Sequence, residues 1–291
     1  MRLHPFFRLV PLLIATLGLF VSGKAQAQDS RLIALPTNAE GIPIVARVND
    51  AEITLPELER AALRYELQQA QLADPTLLQS IVLNTLIEQE LIAQAAAERG
   101  ITISEDELNS ELLMNEQLAG GREGWLAWLA ANGYTEEEFR ETLRQTLVTA
   151  RMRDLVTAEL LGQVPHVRSR HILVLSQAQA EALLARLNNG EDFAALAAQY
   201  SIDETTSRQG GDLGWFTQDE LIEPTLARVA FALEPNMIAG PIETMLGYHI
   251  IQTLERANRS IELERLPDLA QLRFENWLGS VIAEAVIVRY L

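Results

Sequence analysis

The chain has 291 residues, 48% of them hydrophobic, no cysteine, and 40 acidic against 23 basic residues for a net charge of −17. Without thiols there are no disulfide staples, thiolate nucleophiles or Cys-ligated zinc, and the acidic excess argues against a phosphate-backbone partner such as nucleic acid. The single lysine, Lys24, lies in the leader, which removes Schiff-base chemistry and a Walker-type phosphate loop.

Residues 1–27 read as a secretory signal. Arg2 and Arg8 flank the start, an apolar stretch follows from Leu9 to Val21, and Ala25-Gln26-Ala27 supplies a small-x-small cleavage site. The apolar stretch is shorter than the ~20 residues that cross a bilayer, so membrane anchoring would require the segment to stay uncleaved. Cleavage removes Arg2, Arg8 and Lys24 and leaves 20 basic against 40 acidic residues, a net charge of −20. The remaining ~264 residues are enough for two modest domains.

Residues 28–43 form a polar, flexible lead. Ile44–Asp50 reads as a short strand that ends in a turn at Asn49-Asp50, and Thr54 with Glu57 forms a capping box that opens a helix to about Leu72. Asp74-Pro75 starts a second helix, whose apolar positions Leu78, Ile81, Val82, Leu86 and Ile87 recur at threes and fours until Gly100. Capping boxes Ser104/Glu107 and Thr135/Glu138 mark helices over 105–118 and 136–160, with a shorter one around Trp125–Ala131. Trp125 and Trp128 suit either an exposed apolar contact or ordinary core burial.

At Gly162–Pro165 the character changes, and short strands alternate with short helices to Ala257. Residues 262–284 return to an apolar-faced helix and 285–291 are β-rich. Such a helix does not stay exposed, so residues 259–291 are expected to fold back onto a helical domain over 44–163. The last strand would pair with Ile44–Val48, enclosing a second domain over 164–258. The fold class is α+β.

Four histidines are present. His4 leaves with the signal and His166 reads as a solvated linker residue, but His171 and His249 sit inside apolar β-branched runs, a costly place for imidazole unless it is satisfied or used. Between them lies Gly210-Gly211-Asp212-Leu213-Gly214-Trp215-Phe216. The paired glycines permit positive φ in a loop, and Gly214 reads as a close approach of strand and helix.

The segment from His166 to Glu255 resembles a parvulin-type peptidyl-prolyl isomerase domain. The motifs are RHILV at 170–174, NGEDFAALAAQYSID at 189–203, GGDLGWF at 210–216, AFAL at 230–233, GPIET at 240–244 and GYHII at 247–251. The flanks, through VARVNDAEIT at 45–54 and their strand-plus-helices organisation, are similar to the SurA/PrsA class of extracytoplasmic foldases.

The resemblance implies a small antiparallel sheet with surrounding helices, inserted into a mainly helical chaperone domain that the C-terminal helix completes. It also implies a prolyl cis–trans isomerase that needs no cofactor or metal, acts in the periplasm or at the cell surface, and takes unfolded or partly folded exported polypeptides as partners. His171 and His249 would be the central pair, Thr244 would fix their tautomers, and Asp203 would stand beside the reacting amide as a charge. Asp203 also reads as a turn cap after Ser201. Leu213 and Phe216 would line the proline pocket.

The stretch Thr217–Phe231 is one residue longer than the usual spacing. The family's pocket methionine is therefore matched by Ile222 or by Leu221, and its pocket phenylalanine by Leu226. Asn236 stands where glycine is common, a position Asn tolerates because it enters the left-handed region readily. The alternative function is a holdase chaperone with a weak or inactive parvulin domain. A hydrolase finds no nucleophile motif and no HExxH in the sequence.

Overall fold

A computed structural model describes residues 35–68 and 74–291; the signal segment, the start of the lead and the helix end expected near Leu72 lie outside the described residues. The elements begin with β1 (Ile44–Val48), β2 (Ala51–Thr54), α1 (Leu55–Gln68), α2 (Pro75–Glu98), α3 (Glu105–Leu118), α4 (Arg122–Ala131) and α5 (Glu136–Thr157). After a 3-10 turn at Ala158–Leu161 come β3 (Gln163–Val174), α6 (Gln177–Asn188), α7 (Phe193–Tyr200), β4 (Asp212–Phe216) and α8 (Pro224–Ala232). The chain continues with β5 (Ile238–Thr244), β6 (Gly247–Ser260), α9 (Leu266–Glu284) and β7 (Ile287–Arg289). Two compact units result: one from the chain up to Leu155 together with Trp277–Leu291, the other from Val156–Asn276. The fold is α+β, and among the described residues no helix is long and apolar enough to cross a membrane.

Local chemistry explains the helix starts of the first unit. Thr54 and Glu57 bond reciprocally, Thr54 N–H to Glu57 Oε2 at 2.7 Å and Glu57 N–H to Thr54 Oγ1 at 3.4 Å, and Thr135 with Glu138 does the same at 3.0 and 3.1 Å. Ser104 caps α3 by accepting from Glu107 N, but the Glu107 carboxylate turns away to Arg151, so this box is half formed. Asp74 caps α2 with Pro75 in the first turn. Replacing Thr135 with alanine is expected to cost about 1 kcal/mol, read as a lower urea midpoint for helical circular dichroism.

The small sheet of this unit has the order β2-β1-β7, all antiparallel. Asn49 joins both ends of the chain: its N–H donates to Val286 O and its Oδ1 accepts from Val286 N–H. Val45, Leu58, Ile87 and Leu91 form the core, with Ile282 and Ile287 packed against it. Strand β2 was not legible in the sequence, because its four residues end in the helix cap itself and are too few to display a period. Trp125 is buried and stacks on Trp128, with Phe139 edge-on to both rings. This pair is core.

The second unit is a four-stranded antiparallel sheet in the order β4-β3-β6-β5. Strands β3 and β6 pair from Gln163↔Ser260 to Val174↔Tyr248. Period-two alternation sends Ile172, Val174 and Ile250 to one face, where Leu183, Phe193 and Leu196 of α6 and α7 cover them. The opposite face carries His171, Ile251 and His249.

One reading is corrected. His166 is buried in β3, its Nδ1 2.9 Å from Val164 O, because the strand starts at residue 163 and leaves no linker there. The second half of the C-terminal helix packs on the core of the helical unit through Val281 and Ile282. The first half stays with the second unit, where Leu269 buries with Leu160 and Val164 and Arg273 bonds Asp219 at 2.8 Å. The compact units divide near residues 155 and 276.

Candidate active site

His171 lies opposite Ile251 across the β3–β6 ladder, and His249 lies two residues before Ile251 on the same face. Diagonal neighbours at that spacing are within reach of ring side chains. The ring centroids are 5.4 Å apart and the two Nδ1 atoms 3.2 Å apart. Both rings are buried, His249 at 1% exposure.

The loop after α7 brings the carboxylate. Ser201 Oγ accepts from Leu173 N–H at 3.1 Å, and Ile202 N–H donates to Leu173 O at 2.8 Å, which fixes the loop along β3. Asp203 then places Oδ2 2.7 Å from His171 Nε2. The same carboxylate accepts from Thr206 Oγ1 and Thr205 Oγ1, both at 2.6 Å, and from Thr205 N–H at 3.0 Å. Asp203 is thus both a turn cap and the partner of His171. At the other end, Thr244 Oγ1 lies 2.9 Å from His249 Nε2 and accepts from Leu246 N–H at 3.1 Å.

A carboxylate only accepts, so His171 Nε2 carries a proton toward Asp203. With both rings neutral, His171 Nδ1 then accepts from His249 Nδ1–H, and His249 Nε2 accepts from the Thr244 hydroxyl. One direction runs through the chain, from Thr244 to His249 to His171 to Asp203. Thr206, which the sequence reading overlooked, is the fifth member through its 3.2 Å approach to His171 Nε2. The Asp-x-x-Thr spacing, typical of a side-chain-capped turn, was the available signal.

Burial alone would raise the Asp203 carboxyl, but the hydrogen bonds from Thr205, Thr206 and His171 outweigh it and hold the group well below the usual carboxylate range. His249 is pushed down to about 4 by burial and then by His171, with Asp203 opposing. A folded value below the unfolded 6.5 means this stability term is complete above pH 6.5 and is lost as pH falls toward about 4. Asp203 adds a further loss below about pH 4. The stability of this unit is expected to fall between pH 6.5 and 4 by about 3 kcal/mol, read as a lower unfolding midpoint. His249→Gln should flatten that slope.

Beside the rings is an apolar cluster. Phe216 and Leu226 are buried with Ala230, Ile242 and Ile251, and Leu213, Leu221 and Phe231 pack against them half-buried. Leu226 at 3% exposure is a floor, whereas Leu213 keeps accessible surface. Ile222 does not join this group. It is 91% exposed, and Leu221 takes the inward place, because the extra residue turns Ile222 into solvent ahead of α8.

The glycines hold the frame. Gly210 and Gly211 have φ of +71° and +79°, and Gly211 O accepts from His171 N–H at 2.9 Å. Gly214 also has positive φ (+70°), but nothing lies near its missing Cβ, so backbone angle and not close approach requires glycine there. Asn236 occupies the left-handed region at φ +70°.

A sheet with a buried histidine pair, a loop carboxylate and an adjoining apolar cluster defines a parvulin-type domain. Residues 165–257 match the family model for a PPIC-type PPIase domain, and residues 7–153 match the SurA-like N-terminal domain. The foldase protein PrsA of Caldanaerobacter subterraneus subsp. tengcongensis is 32% identical over 247 residues, covering 80% of this chain and 76% of that protein. The chaperone SurA of Alcanivorax borkumensis is 31% identical over 249 residues, covering 73% of this chain and 57% of that protein. Among solved structures, the peptidylprolyl isomerase PrsA from Bacillus anthracis aligns over 69% of this chain and 96% of its own, with 23% identity and a TM-score of 0.40. The chain belongs to the PrsA/SurA family of foldases, with a SurA-like N-terminal domain and a PPIC-type parvulin domain.

Proposed function

We propose that this protein is a prolyl cis–trans isomerase that assists the folding of exported polypeptides outside the cytoplasm. The observation that carries the reading is the continuous hydrogen-bond chain Thr244–His249–His171–Asp203 lying beside a half-open apolar cluster.

The chemistry asks for little. An X–Pro amide resists rotation by ~18–20 kcal/mol because resonance gives the C–N bond double-bond character. That resonance places negative charge on the carbonyl oxygen and positive charge on nitrogen. A fixed carboxylate beside the carbonyl disfavours that distribution more in the planar amide than in the twisted one, so the twisted state is bound better.

Asp203 is that charge. His171, His249 and Thr244 hold it and one another in a single protonation pattern, and Thr206 supports the carboxylate. Leu213 and Phe216 receive the proline ring, with Leu226 beneath them. No bond to carbon is made or broken, and no cofactor takes part.

The test is refolding of an unfolded client whose slow phase is limited by an X–Pro bond, tens to hundreds of seconds when uncatalysed. Catalytic amounts of the full chain should shorten that phase in proportion to their concentration. An unchanged phase contradicts the reading.

A second reading, a holdase, is favoured by Leu63 and Leu67, one turn apart on α1 and 53% and 52% exposed. Such apolar surface suits unfolded chains. The two activities are separable, because holding alone suppresses aggregation without accelerating the proline-limited phase.

A further inference from the structure

The helical unit contains a half-buried arginine that nothing in the isomerase reading uses. Arg64 projects from α1 into a cavity of about 90 Å³ whose walls include Tyr65, Thr85, Gln89, Tyr134 and Thr142. That is room for about three waters at ~30 Å³ each. The guanidinium carbon lies 4.8 Å from the Tyr134 ring centroid, a cation–π contact that supplies no hydrogen-bond acceptor in the guanidinium plane. Nη1 is buried and has no hydrogen-bond partner among the described residues.

Nearby Glu138 is held low by the Thr135 hydrogen bonds and by the charges of Arg64 and Arg60, but its oxygens accept from Thr135 N–H and Oγ1 and pair with Arg60 at 3.2 Å, so it does not satisfy Nη1. A buried guanidinium nitrogen whose N–H groups have no acceptor is costly unless something completes it.

We propose that this cavity binds a carboxylate carried by an extended polypeptide. A planar guanidinium fork matches a carboxylate in charge and shape, and the cavity admits only the end group of a ligand, not a whole metabolite. The chain that carries the carboxylate is apolar next to it. Leu67 flanks the same spot, with both its side chain and the Arg64 stem within 4 Å of where a Gly133 Cβ would stand, and Leu63 and Leu67 are 53% and 52% exposed. Gln145 stands at the exposed rim, with its amide available to a passing backbone. This deepens the foldase reading by naming a feature of the clients.

The test measures fluorescence anisotropy of a labelled decapeptide that lacks acidic residues and ends in Leu-Leu, titrated with the full chain near physiological salt. The free-acid peptide is expected to bind at least about tenfold more tightly than its C-terminal amide, a factor set by one charge-assisted contact. Arg64→Met should erase that preference. A third peptide, amidated but with one internal Glu, identifies the source: binding equal to the free acid shows that side-chain carboxylates are taken, and binding equal to the plain amide restricts the site to chain ends.

Equal binding of acid and amide by the wild-type protein would overturn the proposal, and that comparison needs no variant. Retention of the preference by a folded Arg64→Met protein would overturn it too. Isomerisation of a prolyl tetrapeptide by Arg64→Met is expected to match wild type, so failure here and failure of the isomerase reading are told apart.

Discussion

Gly211→Ala is expected to destabilise the parvulin unit by about 3–5 kcal/mol, combining the cost of a left-handed non-glycine residue with that of overpacking. At Gly211, φ is +79°, and an added Cβ would lie 2.1 Å from the carbonyl oxygen of His171. Neither neighbour can yield cheaply. The clash is with backbone, and His171 N–H is simultaneously bonded to Gly211 O. Movement there displaces His171 relative to Asp203 and His249. The check is thermal or urea unfolding followed by tryptophan fluorescence, where Trp215 reports from the adjoining strand. Gly214→Ala should be milder, since only its backbone angle is unfavourable and open space surrounds the Cβ position. Equal stability of Gly211→Ala and wild type would contradict the described turn.

Asp203→Asn should lower kcat/KM for prolyl isomerisation by about 10- to 100-fold, or about 1.4–2.7 kcal/mol of transition-state stabilisation. The side chain keeps its shape, and Thr205 and Thr206 can still hold it. What is lost is the charge and the acceptor-only character. If the amide N–H2 takes the place of Oδ2, it faces His171 Nε2 as a donor, and the chain of hydrogen bonds must reverse. His171 Nε2 then accepts, Nδ1–H donates to His249 Nδ1, and His249 Nε2–H donates to Thr244. Imidazole nitrogen chemical shifts report that reversal independently of rate. An undiminished rate together with reversed tautomers would show that the charge is irrelevant and would remove Asp203 from the mechanism.

Features with local causes were legible in the sequence. The capping pairs at Thr54 and Thr135 act over three residues, so their spacing is enough to place the helix starts. His171 and His249 were visible because a polar ring in a period-two apolar run stands out whatever the partner. Their mutual contact follows from the strand register, and no single strand encodes that register.

What escaped notice depended on nonlocal packing. The apolar stripe of α9 states that it is buried but not against what, and its two halves serve different units. The choice between Leu221 and Ile222 turns on how one extra residue is absorbed before α8. His166 looked like a linker residue because Pro165 suggested a break, yet β3 runs through that proline. Thr206 is one of several hydroxyls in Thr205-Thr206-Ser207, and only the turn geometry selects which of them meets the carboxylate.

In the proposed function, the histidine–aspartate cluster and the apolar cluster beside it together accelerate rotation of prolyl bonds. Magnetisation exchange between the cis and trans forms of a tetrapeptide with one X–Pro bond, measured by NMR with the full chain present, tests it most directly. The exchange rate is expected to rise linearly with protein concentration and to fall in Asp203→Asn. Exchange that stays at the uncatalysed rate in the presence of folded protein would contradict it and leave the holdase reading in its place.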